Sequence, residues 1–412
     1  MRSRLTSAFV ITLGVSLVFT ACGGKKSVSA APTALHVQAS ATGDATDLRD
    51  AVARIADGGT ITLGPGTYDL DKLLTINKSV QLVGAGVRQT RIVSTVKGKG
   101  VLFTGSHHFS VSGITFSHEG TAPGGAVWVN AGSVHFSNCR FTGAASNRRN
   151  YYYEALWLRG TASGVVENCT ADESDVGIGV AGKATPVIQG CVCTSNSYAG
   201  MAIYGNGRPS LRHDRCSGND QFGIVASAHA HLMIQSCQCN SGTTGIQIGG
   251  KVAGSISFCT CNGNSTHGVL ILGSARVAVD KSTCNSDGDF GIAVAGTAKA
   301  TVTNNQCLHD KGAGIGFGGT ARGTASGNTC NRDGSGASGG LCVTEHANVT
   351  VTGNQCDDNA SYGILFRDHA RGVARDNECS GNDYGIIINS PATAKLVGNT
   401  LDWNKTQAIG RW

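Results

Sequence analysis

The sequence predicts an all-β solenoid, a stack of coils of 22 or 23 residues closed at its N-terminal end by one short helix. Three observations predict it. A Gly followed by an apolar residue recurs at Gly177, Gly200, Gly223, Gly245, Gly268, Gly291, Gly314, Gly340, Gly363 and Gly385, in steps of 22 or 23 except for 26 between Gly314 and Gly340. Each unit then reads Gly-apolar-x-apolar, a small polar turn, a β-branched stretch, N-x-C and an Asn/Asp/Gly turn, with no helical pattern long enough to interrupt it. Finally, 59 glycines, 6 prolines and 15% charged residues in 412 positions ask for many tight turns rather than one large globular core. Such a unit buries its apolar face only by stacking on its neighbours.

The chain opens on Arg2 and Arg4, then the apolar run "AFVITLGVSLVFT" and "ACGG", the pattern of an export signal. "FTAC" resembles the lipobox of bacterial lipoproteins, with Phe19 in place of the usual Leu. The resemblance implies that Cys22 is the lipidated first residue of an extracytoplasmic chain held to a membrane through its lipid anchor only. The alternative is a secreted protein cut after Ala30. The expected organisation is a signal over 1–22, a flexible tether over 23–44, a cap and first coils over 45–120, and regular coils over 121–412. In the cap, Leu48, Val52 and Ile55 lie at helical spacing, with Thr46 or Asp44 as N-cap, and this helix covers the otherwise exposed edge of the first coil. At the other end, Trp403 and Trp412 shield the last coil, or a protein partner or a second copy does.

A hydrophobic content of 40% excludes a disordered chain. A net charge of +6, with no basic run interleaved with aromatics, gives no reason to expect nucleic acid. Leucine-rich repeats lack a match here for their Leu-x-x-Leu-x-Leu frame, and the six-residue sub-repeat of left-handed β-helices is missing. The segments "KATPVIQGCVCTSNSYAGMAIYG" and "NDYGIIINSPATAKLVGNT", with the opening "DLRDAVARIADGGTITLGPGTYDLDKLLTINKSVQLVGAG", resemble the right-handed parallel β-helix of the pectate-lyase-like superfamily. More narrowly they are similar to its short-coil version, the carbohydrate-binding and sugar-hydrolase (CASH) repeats. The resemblance covers roughly residues 45–412 and implies a fold, not an activity.

Aligned coils give columns. Cys193, Cys216, Cys239, Cys261, Cys284, Cys307, Cys330, Cys356 and Cys379 share one position, flanked by Phe141, Ala171 and Leu401. Apolar substitutes mean that the column points inward as a wall of free thiols, with Cys342 outside it. Disulfides and a metal column are the alternatives, and no Cys/His spacing resembles a tetrahedral site. Two residues earlier runs a column that ends in Asn305, Asn328, Asn354, Asn377 and Asn399, a ladder of stacked amides. Three residues after the cysteines stand Asn196, Asn219, Asn264, Asp287, Asp310, Asp333, Asn359, Asn382 and Asn404, read as left-handed turn residues. No cofactor is expected; the weak alternative is Ca²⁺ on the carboxylates of Asp287, Asp310 and Asp333.

Function is sought in two places. Arg208, His231, Arg276, Lys299, Arg322 and Arg371 stand eight residues after the repeat Gly, and no turn geometry asks for arginine there. Guanidinium groups grip carboxylate or sulfate in a bidentate way, so an acidic glycan along the rod is the expected ligand. The bland alternative is a solvated polar turn. The second place is "GAASNRRNYYYEALW", an insertion into one coil, where long loops carry function. Arg148, Arg149, Tyr151, Tyr152 and Tyr153 supply a cation and bases for lyase or epimerase chemistry on a uronate, as the resemblance implies. Glu154 and Glu173 supply the two carboxylates of a hydrolase. The histidines His107, His108, His118 and His135 are read as scattered surface residues. Few long loops elaborate the coils, which favours a polymer-binding protein over a glycan-active enzyme, with a structural rod as the third class.

Overall fold

The computed structural model describes residues 30–146 and 152–411, so Cys22, Arg148, Arg149, Tyr151 and Trp412 lie outside the described residues. The chain divides into a short unit, Met1–Ala31, and a solenoid unit, Pro32–Trp412. The coils are triangular, and most of their corners are set by left-handed residues. In one coil the strand Tyr362–Phe366 turns at Asp368 (φ 61°), Arg371–Arg375 turns at Asp376 (φ 53°), and Gly381 (φ 72°) returns the chain to Tyr384, the partner of Tyr362. A left-handed backbone costs an L-residue roughly 1–2 kcal/mol, least for Asn/Asp, and costs Gly almost nothing, which explains the many glycines and the Asn/Asp at corners, although Ser, His, Arg and others also stand there.

Stacking lines up the three sides. A 15-stranded front sheet carries the repeat glycines and runs from Leu74–Ile76 to Gln407–Arg411. A 16-stranded back sheet runs from Ala34–Val37 to Thr393–Val397. The narrow third side begins as a six-stranded sheet from Gly66–Leu70 to Val192–Thr194 and continues mainly as single bridges. The strands pair in parallel with those one coil away, so every side chain stacks on its counterpart. Phenylalanines fill the early coils, with Phe103 against Phe109 at 5.1 Å and Phe116 stacked on Phe141 at 5.7 Å. From Ala171 onward small residues and cysteines replace them on the narrow side.

The cysteine wall is present as expected. All fifteen described cysteines are free and buried. Cys342 does lie outside the wall, on the outer side of the front sheet, yet Tyr362 and Leu365 cover it to 7% exposure and burial pushes its thiol up to about 11. Iodoacetamide is therefore expected to leave these thiols unmodified in the native protein and to alkylate them fully in denaturant. Mass spectrometry that found quantitative native alkylation would overturn the buried wall.

The asparagine column is also a ladder. Asn328 Oδ1 accepts from the backbone N–H (2.9 Å) and the amide (3.0 Å) of Asn305, and Asn354 Oδ1 accepts from those of Asn328 at 3.0 and 2.9 Å.

Four expectations need correction. Asn196 to Asn404 are not the left-handed residues: those stand one position earlier, at Ser195, Ser286, His309, Arg332 and Asp358 among others, which turns the Asn/Asp side chains inward. The helix, Thr46–Arg54, begins after Ala45, and Asp44 acts from just outside it by accepting the Thr46 N–H at 2.7 Å. Lys78 closes its other end on the Ala53 and Ile55 carbonyls, both at 3.0 Å. Residues 34–37, within the expected tether, instead pair with Thr60–Leu63 as the first strand of the back sheet. Trp403 shields nothing: its left-handed backbone turns the ring outward to 89% exposure.

Candidate functional site

The front sheet has an outward column that is unusual in two coils. Strand Gly124–Val129 presents Trp128, and strand Glu154–Leu158 presents Trp157 in register with it. The indoles meet edge to face at 4.5 Å between centroids. Arg159 lies 4.5 Å from the Trp157 ring and 5.7 Å from that of Trp128, and Lys99 lies 4.9 Å over Trp128, distances at which a cation is held by the ring quadrupole. Both indole N–H groups are buried and have no hydrogen-bond partner among the described residues. A buried donor without a partner costs free energy.

Glu154 opens the second of these strands. The next rung on the same face is Gly179, where an added Cβ would fall 2.4 Å from the Glu154 Cγ, so the missing side chain makes room for the carboxyl. Burial raises that carboxyl to about 7, against the pull of Arg159 and with a small push from Asp175. Asp175 is also pushed up by burial, and it accepts the Tyr153 N–H and the Ser197 hydroxyl, both at 3.2 Å. The aromatic surface continues along the axis. Tyr152 stacks on Tyr198 at 3.9 Å, Tyr198 meets Phe222 edge-on at 5.3 Å, and burial, then Glu154, raise Tyr204.

Several expected pieces are therefore here and others are not. Tyr152, Tyr153 and Glu154 belong to this face. Glu173 is no free partner for Glu154: it binds Arg140 at 3.2 Å, beside the Asp172–Arg140 contact at 2.9 Å, and the charges acting on Glu154 are Arg159 and Asp175. His118 is not at the surface; it is buried, with Nε2 2.7 Å from the Ala122 carbonyl. Lys99, Trp128, Arg159, Tyr198 and Tyr204 were not singled out from the sequence. The repeated "AVWV" and "ALWL" at 126–129 and 155–158 was the signal that could have found the pair.

The basic residues occupy a different side. His231, Ala253, Arg276, Lys299, Arg322, Asn348 and Arg371 follow one another in register along the outer surface of the back sheet, and Arg208 stands one coil before His231, whose N–H donates to the neighbouring Gly207 carbonyl. The six basic members are exposed, and Ala253 and Asn348 break the ladder so that Arg276, Lys299 and Arg322 form its continuous part. These three flank an open groove of about 450 Å³ floored by Ala278 and Thr301. Asp287, Asp310 and Asp333 are buried inside the solenoid, out of reach of a surface cation, and no group of metal ligands occurs among the described residues.

The family model described as "Right handed beta helix region" matches residues 154–307 and 268–410. The chain belongs to this family. This right-handed β-helix protein is also similar in backbone to the A-module of the mannuronan C-5 epimerase AlgE6 of Azotobacter vinelandii. The identity there is 16%, over 87% of this chain and 96% of that one, with a TM-score of 0.55. It is likewise similar to the periplasmic alginate epimerase AlgG, at 12% identity over 89% of this chain and 83% of that one, with a TM-score of 0.50. At these identities the likeness is one of fold. No curated protein matches the sequence.

Proposed function

We propose that this protein is an extracytoplasmic, lipid-anchored β-helix that binds an acidic polysaccharide. The observation that carries the reading is the Trp128–Trp157 pair with Lys99 and Arg159 held against it. Flat apolar rings take the C–H face of a pyranose, and fixed cations take its carboxylate, so the two halves of a uronate are met on one surface. The exposed Arg276–Lys299–Arg322 ladder adds a second positive stripe suited to an extended polyanion. The two structures alike in backbone are epimerases of mannuronan and alginate, which supports testing polyuronates first.

Glu154 favours a second reading, in which the same site acts on the glycan as a lyase or epimerase. A carboxyl raised to about 7 can take or give a proton at neutral pH, and the adjacent cations would offset charge growing on a uronate carboxylate.

Glycan-array binding of the full chain at two salt concentrations, followed by inspection for shortened, unsaturated or epimerised products, tests both readings. Salt-sensitive binding to polyuronates supports the first, and products support the second. Binding to no acidic glycan at either salt rejects both. Within that assay, Arg276→Ala with Arg322→Ala is expected to flatten the salt dependence by about two counter-ions and to weaken binding severalfold. An unchanged salt slope would make the ladder a solvated turn.

A further inference from the structure

The inward Asn/Asp column is a second amide ladder with three misfits. In its asparagine rungs, Asn359 with its unpartnered Nδ2 excepted, the side chain uses both ends. Asn219 Oδ1 accepts the Asn196 N–H at 3.1 Å, while Asn196 Nδ2 donates to the Ala171 carbonyl at 3.1 Å, Asn219 Nδ2 to that of Cys193 at 2.9 Å and Asn382 Nδ2 to that of Cys356 at 2.9 Å. At Asp287, Asp310 and Asp333 the accepting half is kept. Their Oδ1 atoms take the backbone N–H groups of Asn264 (2.7 Å), Asp287 (2.7 Å) and Asp310 (2.9 Å).

The donating half is a bare oxygen. All three Oδ2 atoms are buried without a hydrogen-bond partner. A Cβ placed on Gly268 would fall 2.6 Å from Asp287 Oδ2 and 2.8 Å from the Cys261 carbonyl oxygen, so these two oxygens crowd the same point. Gly291 gives the same result, with Asp310 Oδ2 at 2.5 Å and the Cys284 carbonyl oxygen at 2.8 Å. In the asparagine rung at Gly245 the corresponding neighbours are the Asn264 amide nitrogen at 3.0 Å and the Cys239 carbonyl oxygen at 2.7 Å. Two acceptors packed where a donor and an acceptor belong is untenable for a carboxylate and natural for an acid.

We propose that Asp287, Asp310 and Asp333 are carried in the folded protein as neutral carboxylic acids whose Oδ2–H groups replace the amide donors of the ladder. The coils between Asn264 and Asn359 thereby become an acid-stabilised segment. The inference stands apart from the glycan reading. No basic side chain acts on the three carboxyls: their titratable neighbours are one another and the thiols Cys284, Cys330 and Cys356, and His309 offers Asp333 only its backbone N–H. Burial is the largest cause that raises each, to about 8, 10 and 8 in turn.

The sign follows from linkage. A carboxyl raised in the folded state contributes stability that is complete below its unfolded value near ~4 and is lost as pH rises through the folded value. Urea unfolding of the full chain at pH 5 and pH 7 is compared with that of the triple variant Asp287→Asn, Asp310→Asn, Asp333→Asn. The unfolding constant of the native sequence is expected to rise at least about tenfold relative to the variant over that interval. A ratio independent of pH overturns the proposal. Infrared difference spectra provide a second readout on the folded state: a protonated-carboxyl C=O band at pH 7 that the variant lacks is expected, and its absence from the native sequence overturns the proposal. A chelator that destabilises only the native sequence also overturns it, because a bound cation would then stand where the protons are placed.

Discussion

Asn354→Leu is expected to destabilise the folded rod by about 3–5 kcal/mol. Asn354 Oδ1 accepts the backbone N–H of Asn328 at 3.0 Å and its amide at 2.9 Å, while Asn354 Nδ2 donates to the Ala325 carbonyl at 2.9 Å and to Asn377 Oδ1 at 3.0 Å. Leucine is close in size but offers none of these bonds: the Asn328 N–H is left buried without its acceptor, and the Ala325 carbonyl loses its amide donor. Each such orphan costs about 1–3 kcal/mol, which outweighs what an added apolar side chain returns. In a solenoid the loss weakens the interfaces of the coil with both neighbours. The neighbouring Cys356→Ala removes only one buried thiol and should cost less, on the order of 1 kcal/mol. Urea midpoints for the two variants decide the matter. If Asn354→Leu lost no more than Cys356→Ala, the amide ladder would contribute little and the thiol wall would carry the coil.

The period of the coil, the inward cysteines and the asparagine ladder were legible because each is repeated: ten glycines at near-constant steps fix a coil length, and apolar substitutes within a column fix its direction. The repeat alone does not say which residue of a turn takes the left-handed backbone. Asn and Asp suit that backbone, so Asp287, Asp310 and Asp333 read as turn residues. The structure gives the left-handed place to Ser286, His309 and Arg332, one residue earlier, because the side chain that follows is needed inside.

The candidate site was less legible, since it depends on contacts between coils at positions where the repeat is broken. Glu154, Tyr152 and Tyr153 stood out because they adjoin an insertion. Lys99 and Arg159 did not, since nothing in the sequence says that Lys99 lies against an indole one strand away or that Arg159 sits between that indole and Trp157 two residues before it. Glu173 looked available as a carboxylate because the Arg140 that holds it is 33 residues distant.

Trp157→Ala is expected to lower affinity for an oligouronate by about ten- to a hundredfold, the loss usual for a central tryptophan anchor. The substitution removes the ring that Arg159 rests on at 4.5 Å and one wall of the edge-to-face pair, while Lys99 keeps its place over Trp128 at 4.9 Å. Affinity should also fall as pH rises through about 7, because Glu154, held neutral by burial below that value, becomes an anion facing a bound uronate. Glu154→Gln should keep the affinity seen at pH 6 and remove its decline at pH 8. The same raised carboxyl contributes stability that is lost as pH rises through about 7, so Glu154→Gln should unfold no earlier than the native sequence at pH 8. Isothermal titration at pH 6 and pH 8 separates the two sides of the rod. Loss on Trp157→Ala, with a pH dependence that Glu154→Gln abolishes, puts the glycan on the front sheet. Undiminished binding by Trp157→Ala, coupled with loss on Arg276→Ala and Arg322→Ala, would instead put it along the basic ladder of the back sheet, since the two surfaces share no residue.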